Sequence, residues 1–372
     1  MAQESQAVVD ARRFMDVCNA CRYCESYCAV FPAMTMRRSF SEGDLTHLAN
    51  LCHGCKGCYH ACQYAPPHAF GINLPATFAE IRQESYAANA WPAGLGRLFE
   101  RNGTLVSLFA SLGVALALIL AVALQDPTVL WSAQRGAGAF FRVVPHWLMI
   151  TLGVATFGFA IVAMAIGARN YIRSTGGAGG AFATGPAVET ASDIATMRNL
   201  GGGGHGCNDL DDSFSMRRRW LHQALMYGFL LCFAATCTGT IYHYVFGWMS
   251  PHSFFSLPVQ FGFWGGLLMM VGAAGLMQVK IVTDPGPVST KVAGGEFAML
   301  GLLFLIAATG ELLLAVRHTG AMGMMLAIHL GLVFAFFLLM PYSKMVHGLY
   351  RGIALLRNAQ EKRRMTPVAS GG

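Results

Sequence analysis

The chain has 372 residues, of which 54% are hydrophobic and only 12% charged, with a formal net charge of +7. A soluble globular chain carries about 25% charged residues, so this composition excludes an ordinary soluble domain. Eight of the eleven cysteines fall within the first 62 residues; Cys207, Cys232 and Cys237 are scattered.

The N-terminus carries Asp10, Arg12 and Arg13 and no apolar core segment, so no secretory signal is expected there. The thiols should therefore stay in a reducing compartment, where dense cysteine spacing points to metal rather than to disulfides. CNACRYCESYC (18–28) and CHGCKGCYHAC (52–62) both read C-x2-C-x2-C-x3-C. This is the bacterial ferredoxin run, in which the fourth cysteine of each motif serves the other motif's cluster. Cys18, Cys21, Cys24 and Cys62 are expected on one [4Fe-4S] cluster, and Cys52, Cys55, Cys58 and Cys28 on the other. Zinc is the alternative, with His53, His60 and His68 nearby, but two complete copies of this spacing favour iron–sulfur. The proline that usually follows the fourth cysteine is replaced by Ala29 and Gln63; Pro32 and Pro66 come later.

Between the motifs, Leu45, Leu48 and Leu51 recur at helical spacing after a start at Ser41 and Asp44. No strand pattern intervenes, so the expectation is an all-α fold with an alpha-helical ferredoxin domain over residues 1–102. It ends after the stretch WPAGLGRLF.

From Thr104 the character changes. Segments 104–124, 147–168, 223–241, 257–279, 297–316 and 321–342 are each about as long as the 20 apolar residues that cross a bilayer. A six-helix membrane domain is expected over 103–350, with a glycine-rich connection at 169–219 and a basic tail at 351–372. Lys and Arg concentrate in 169–222, 280–296 and 343–372, so these connections and both termini are expected on the cytoplasmic side. GGAGG (176–180) is a weak nucleotide-loop motif, lacking a preceding strand and a third glycine at the required spacing. The segment 174–206 reads as a mobile loop in which His205 and Cys207 could touch a partner or a cluster.

Titratable groups inside a membrane are expensive, which makes each a functional candidate. His222 and His243 bracket the third span, and His329 and His347 lie on the sixth and its extension. The pairs are about 31 and 27 Å apart along their helices. Opposed span directions bring His222 to His347 on the inner side and His243 to His329 on the outer side. Each pair suits a bis-histidine haem b in a helical bundle. His146 is the rival ligand for the outer site, while His252 and His318 read as loop residues. Glu311 could carry protons to a quinone or could snorkel to the interface; Tyr242 is a weaker quinone candidate.

The doubled ferredoxin motif, the six spans, RRWLHQALMYGFLLCF and MPYSKMVHGLYR (340–351) together resemble the tricarballylate utilisation protein B (TcuB/CitB) family. The likeness covers nearly the whole chain and extends to the C-terminal half of CobZ. Residues 328–347 are also similar to the last helix of a nitrate reductase γ-type cytochrome b, where two histidines of one helix serve two haems. The resemblance implies an electron-transfer subunit in a bacterial inner membrane. It implies a separate TcuA-like FAD-dependent dehydrogenase as electron donor and the membrane quinone pool as acceptor, with no nucleic acid involved. No convincing FAD motif occurs in this chain. A conduit for a heterodisulfide-reductase-like complex, or a redox sensor or transport-associated protein, are the alternatives.

Overall fold

The structure is a computed structural model that describes residues 4–176 and 183–365. Most of GGAGG and the end of the basic tail lie outside the described residues.

The N-terminal domain is built from α1 (Gln6–Cys21), α2 (Val30–Thr35), α3 (Glu42–Leu51), α4 (Gly57–His60) and α5 (Leu74–Asn89). Ser5 caps α1 by accepting from the Val8 N–H. Ser41 and Asp44 form a capping box at the head of α3, a device worth about 1 kcal/mol. Met15, Leu45, Leu48, Leu51, Phe78 and Ile81 are buried together, so the leucine spacing of α3 faces the domain core. Arg37 ties this domain to the C-terminal helix, meeting Asp44 at 2.8 Å and Glu361 at 2.9 Å.

Six helices among the described residues are long and apolar enough to cross a membrane. They are α6 (Ala93–Gln125), α8 (His146–Ser174), α10 (Arg217–Phe246), α11 (Leu257–Val282), α12 (Thr290–Val316) and α13 (Met322–Leu339). This is a membrane protein, all-α as expected; the only β feature among the described residues is an isolated bridge between Cys207 and Ser215. Helix α6 breaks at Asn102, whose φ of −145° and ψ of 48° are not helical. The break lies where the charged stretch after Pro92 gives way to the uncharged span. Helices α10 and α11 approach closely through small residues. A Cβ on Gly228 would stand 2.6 Å from the Met269 nitrogen, and one on Gly272 would stand 2.5 Å from the Leu225 nitrogen. Between helices such small residues give backbone-to-backbone contact where no hydrophobic force drives association.

After α13 the chain turns through Lys344–Val346 into α14 (His347–Met365), which packs on α3 and α9 (Thr184–Thr196). The connections 280–296 and 197–216 meet the N-terminal domain too: Asn73 donates to the Gly286 carbonyl, and Ser289 donates to Glu80. The other connections gather at the far end, where Gly138 donates to the Ser250 carbonyl and Arg317 to the His252 carbonyl. The short helix α7 (Ala139–Val143) lies there as well.

The segment read as a mobile loop is largely structured. It contains α9, whose terminal carbonyls are capped from α10: Arg219 and Gln223 donate to Thr196, and Tyr227 donates to Ala195. Helix ends leave carbonyls without intrahelical partners, and these side chains supply them.

Candidate metal centres

The second cysteine motif starts where α3 stops. Gly54 (φ 64°) and Lys56 (φ 66°) take left-handed backbone conformations on either side of Cys55, curling the loop back on itself before α4. Cys52, Cys55 and Cys58 line one cavity, and Cys28 of the first motif lines it with them. Tyr27, Phe31 and His53 form part of the same wall. Burial, then the neighbouring thiols Cys55 and Cys52, pushes the Cys28 and Cys58 thiols well above the ordinary range.

The first motif turns at Arg22 (φ 57°), whose N–H bonds the Cys18 carbonyl. Burial, then Cys62, Cys24 and Cys21, pushes the Cys18 thiol up to about 12. Burial, then Cys62 and Cys21, does the same for Cys24. The eight thiols thus fall into two sets of four, with Cys28 and Cys62 exchanged between motifs. Cys24 is also a neighbour of Cys58, so the sets adjoin. All eleven cysteines are free. Among the described residues no three His, Cys, Asp or Glu are grouped as for a single metal ion. Four thiols around a cavity are a donor set that fits a cluster with four iron corners.

The segment 197–216 covers the Cys28–Cys52–Cys55–Cys58 site. The Asn208 N–H bonds the Cys55 carbonyl at 2.9 Å, and Cys207 is buried with Cys55, Met197 and Leu200. His205 is exposed. The glycines of LGGGGHGC are there for closeness. A Cβ on Gly57 would stand 2.5 Å from the Gly202 carbonyl oxygen, and one on Gly203 (φ 81°) would stand 2.5 Å from the Tyr27 ring. Gly57→Ala should therefore lift the cover at a cost of about 1–3 kcal/mol, the usual range for overpacking. Faster limited proteolysis between 197 and 216 would show it; unchanged cleavage would mean the contact is loose.

His222 and His347 come together as the span directions suggest. Their rings lie 5.9 Å apart, centre to centre, at 79°. Two imidazoles sharing one iron hold their ring centres about 6 Å apart, given metal–nitrogen bonds of about 2 Å. The His347 Nδ1 faces the Lys344 carbonyl, which leaves Nε2 for a ligand. The His222 Nδ1 is buried with no partner. Burial, with Arg351 and His222 nearby, holds His347 far below the usual imidazole range, so it is neutral, as an iron ligand must be.

At the far end His243 lies beside His146, at 4.4 Å between ring centres, and its Nδ1 is buried without a partner. His329 is placed against α12, its Nδ1 3.1 Å from the Thr309 hydroxyl. No ring contact joins it to His243 among the described residues. Between the two histidine groups, α8, α10 and α13 face one another through aromatic rings. Phe157 meets Phe233 and Phe337, and Phe229 meets Phe336. Glu311 is half-buried against Gly266, where any side chain would overlap its carboxylate. Tyr242 packs its ring on Trp248 and His252.

Fold and site define a membrane protein with an N-terminal domain of the iron–sulfur kind. Residues 97–368 match the family model described as Citrate utilization protein B, and residues 11–88 match that of the Citrate utilization protein B Fer4-like domain. The chain is similar to a protein of Escherichia coli named Citrate utilization protein B, with 43% identity over 356 residues, covering 95% of this chain and 93% of that relative. The chain belongs to the citrate utilization protein B family. No solved structure matches it.

Proposed function

We propose that the chain is a membrane electron-transfer subunit. In this reading it reoxidises the reduced flavin of a separate tricarballylate-type dehydrogenase and passes the electrons toward quinone. The observation that carries the reading is the nearness of one thiol cavity to the imidazole pair: Arg351 donates to the Cys52 carbonyl and also lies near His347. The Cys28–Cys52–Cys55–Cys58 cavity includes His53, which is within electrostatic range of His222 of the imidazole pair.

In this scheme the eight thiolates hold two [4Fe-4S] clusters, and His222 and His347 hold a haem b near the N-terminal domain. His243 anchors a second haem at the far end, with His329 or His146 opposite. The clusters and haems supply one-electron chemistry; the chain supplies ligands, burial and the aromatic slot between helices. Glu311 is the acid available inside a span for protons at a quinone site. The excess of Lys and Arg on the connections near the N-terminal domain supports a cytoplasmic location for that domain in a bacterial inner membrane. A flavoprotein donor would then dock from the cytoplasm.

The test is anaerobic purification in detergent followed by metal and haem analysis. About eight non-haem irons with acid-labile sulfide and about two b-type haems per chain are expected. Iron without haem would reduce the histidines to interfacial residues, and zinc in place of iron would overturn the redox reading.

A further inference from the structure

The two thiol sets differ in the charges around them. Arg82 of α5 donates to the carbonyls of Ala49 (2.9 Å) and Cys52 (3.2 Å). Arg351 of α14 donates to those of Asn50 (3.3 Å) and Cys52 (3.0 Å). Two guanidiniums therefore share the carbonyl of one cluster cysteine. Arg218, at the head of α10, donates to the Gly54 carbonyl two residues on and lies 3.6 Å from Asp209. Among the described residues neither Arg82 nor Arg351 has a carboxylate within ion-pair distance. A guanidinium keeps its proton in proteins, so both side chains carry their charge.

On the first motif's loop the counterpart is exposed. Arg22 donates to the Asn19 carbonyl, and it is exposed, where water and salt screen it. Cys21 of that set is exposed as well, whereas Cys52 and Cys55 are buried.

We infer that Arg351 and Arg82 are positioning residues that raise the electron affinity of the Cys28–Cys52–Cys55–Cys58 site above that of the Cys18–Cys21–Cys24–Cys62 site. The inference rests on the proposed reading of both sets as cluster sites. A cluster with four thiolates is anionic, and taking up an electron adds negative charge. Burial alone makes that harder, so exposure by itself would place the Cys18 set higher. Fixed, weakly screened positive charge on the Cys52 carbonyl acts in the opposite direction, and low local dielectric strengthens it. Arg351 also lies four residues beyond His347 on α14, one helical turn away. The same side chain therefore ties the Cys52 loop to the helix of the imidazole pair.

The experiment is a reductive titration of the iron-loaded full chain with dithionite, each site taking up one electron, followed by electron paramagnetic resonance. Two cluster steps are expected, separate from those of the haems. The step at higher potential should vanish in Cys58→Ser and the lower one in Cys21→Ser. Arg351→Met should move the higher step down by about tenfold or more in equilibrium constant, about 59 mV for a one-electron couple, and leave the lower step in place. Arg351→Lys should recover part of the shift. Arg82→Met should act in the same direction and serves if Arg351→Met fails to assemble. A higher step that vanishes in Cys21→Ser, or equal movement of both steps, would overturn the inference while leaving the cluster assignment intact. Absence of both signals from iron-loaded protein would remove the cluster reading itself.

Discussion

Cys28→Ser and Cys58→Ser should erase the same cluster, although the two residues belong to different motifs. Each should lower non-haem iron from about eight to about four per chain and silence one and the same paramagnetic signal. Cys62→Ser and Cys21→Ser should erase the other. The reason is geometric: Cys28 shares one cavity with Cys52, Cys55 and Cys58, while Cys62 neighbours Cys18 and Cys24. Haem should persist in all four variants, because the imidazole pair is carried by α10 and α14 and not by the thiol loops. If Cys28→Ser instead silenced the signal lost in Cys21→Ser, each motif would hold its own cluster and the exchange would be wrong.

Much of this arrangement could be read beforehand because it depends on local chemistry. Thiol spacing constrains a short loop, and hydropathy over about 20 residues measures a span directly. The meeting of His222 and His347 needed only opposed span directions, although a turn and not a continuous helix leads from α13 to His347. The neighbours of His243 needed more. Rise gives the depth of a residue but not the rotation of its helix, and rotation is decided by packing. Here α10 and α11 pack closely through Gly228 and Gly272, and His243 meets His146 of α8. His329 faces Thr309 and Gly310 on α12 instead.

The glycine-rich segment misled for a similar reason. Gly lowers helix propensity and favours disorder, so LGGGGHGC reads as a loose linker. In the fold its glycines are demanded by close approach to Gly57 and Tyr27, contacts separated by more than a hundred residues and invisible to any local window. The informative signal was Cys207 at the end of the run, a thiol that is buried against Cys55 of the second motif. Gly266 opposite Glu311 is another long-range fit: an acid on α12 is matched by the absence of a side chain on α11.

His347→Ala should remove one of about two haems per chain, with His222→Ala removing the same one, since the two rings face each other across a single site. The loss should show as about half of the reduced b-type absorbance, with non-haem iron and labile sulfide unchanged. Quinone reduction should collapse in both variants if electrons must cross at that site. His243→Ala should remove the second haem, and its opposite ligand then follows from two further variants. His329→Ala abolishing that haem would require His329 to leave the Thr309 hydroxyl when iron binds. His146→Ala abolishing it would mean that the pair already side by side opens to admit the metal, because ring centres at 4.4 Å are closer than the roughly 6 Å that two metal–imidazole bonds demand. Unchanged haem in both His347→Ala and His329→Ala would reject bis-histidine ligation from α13 and α14. The buried, partnerless nitrogens of His222 and His243 would then be left without a chemical reason, since a buried polar group that meets neither partner nor metal costs about 1–3 kcal/mol.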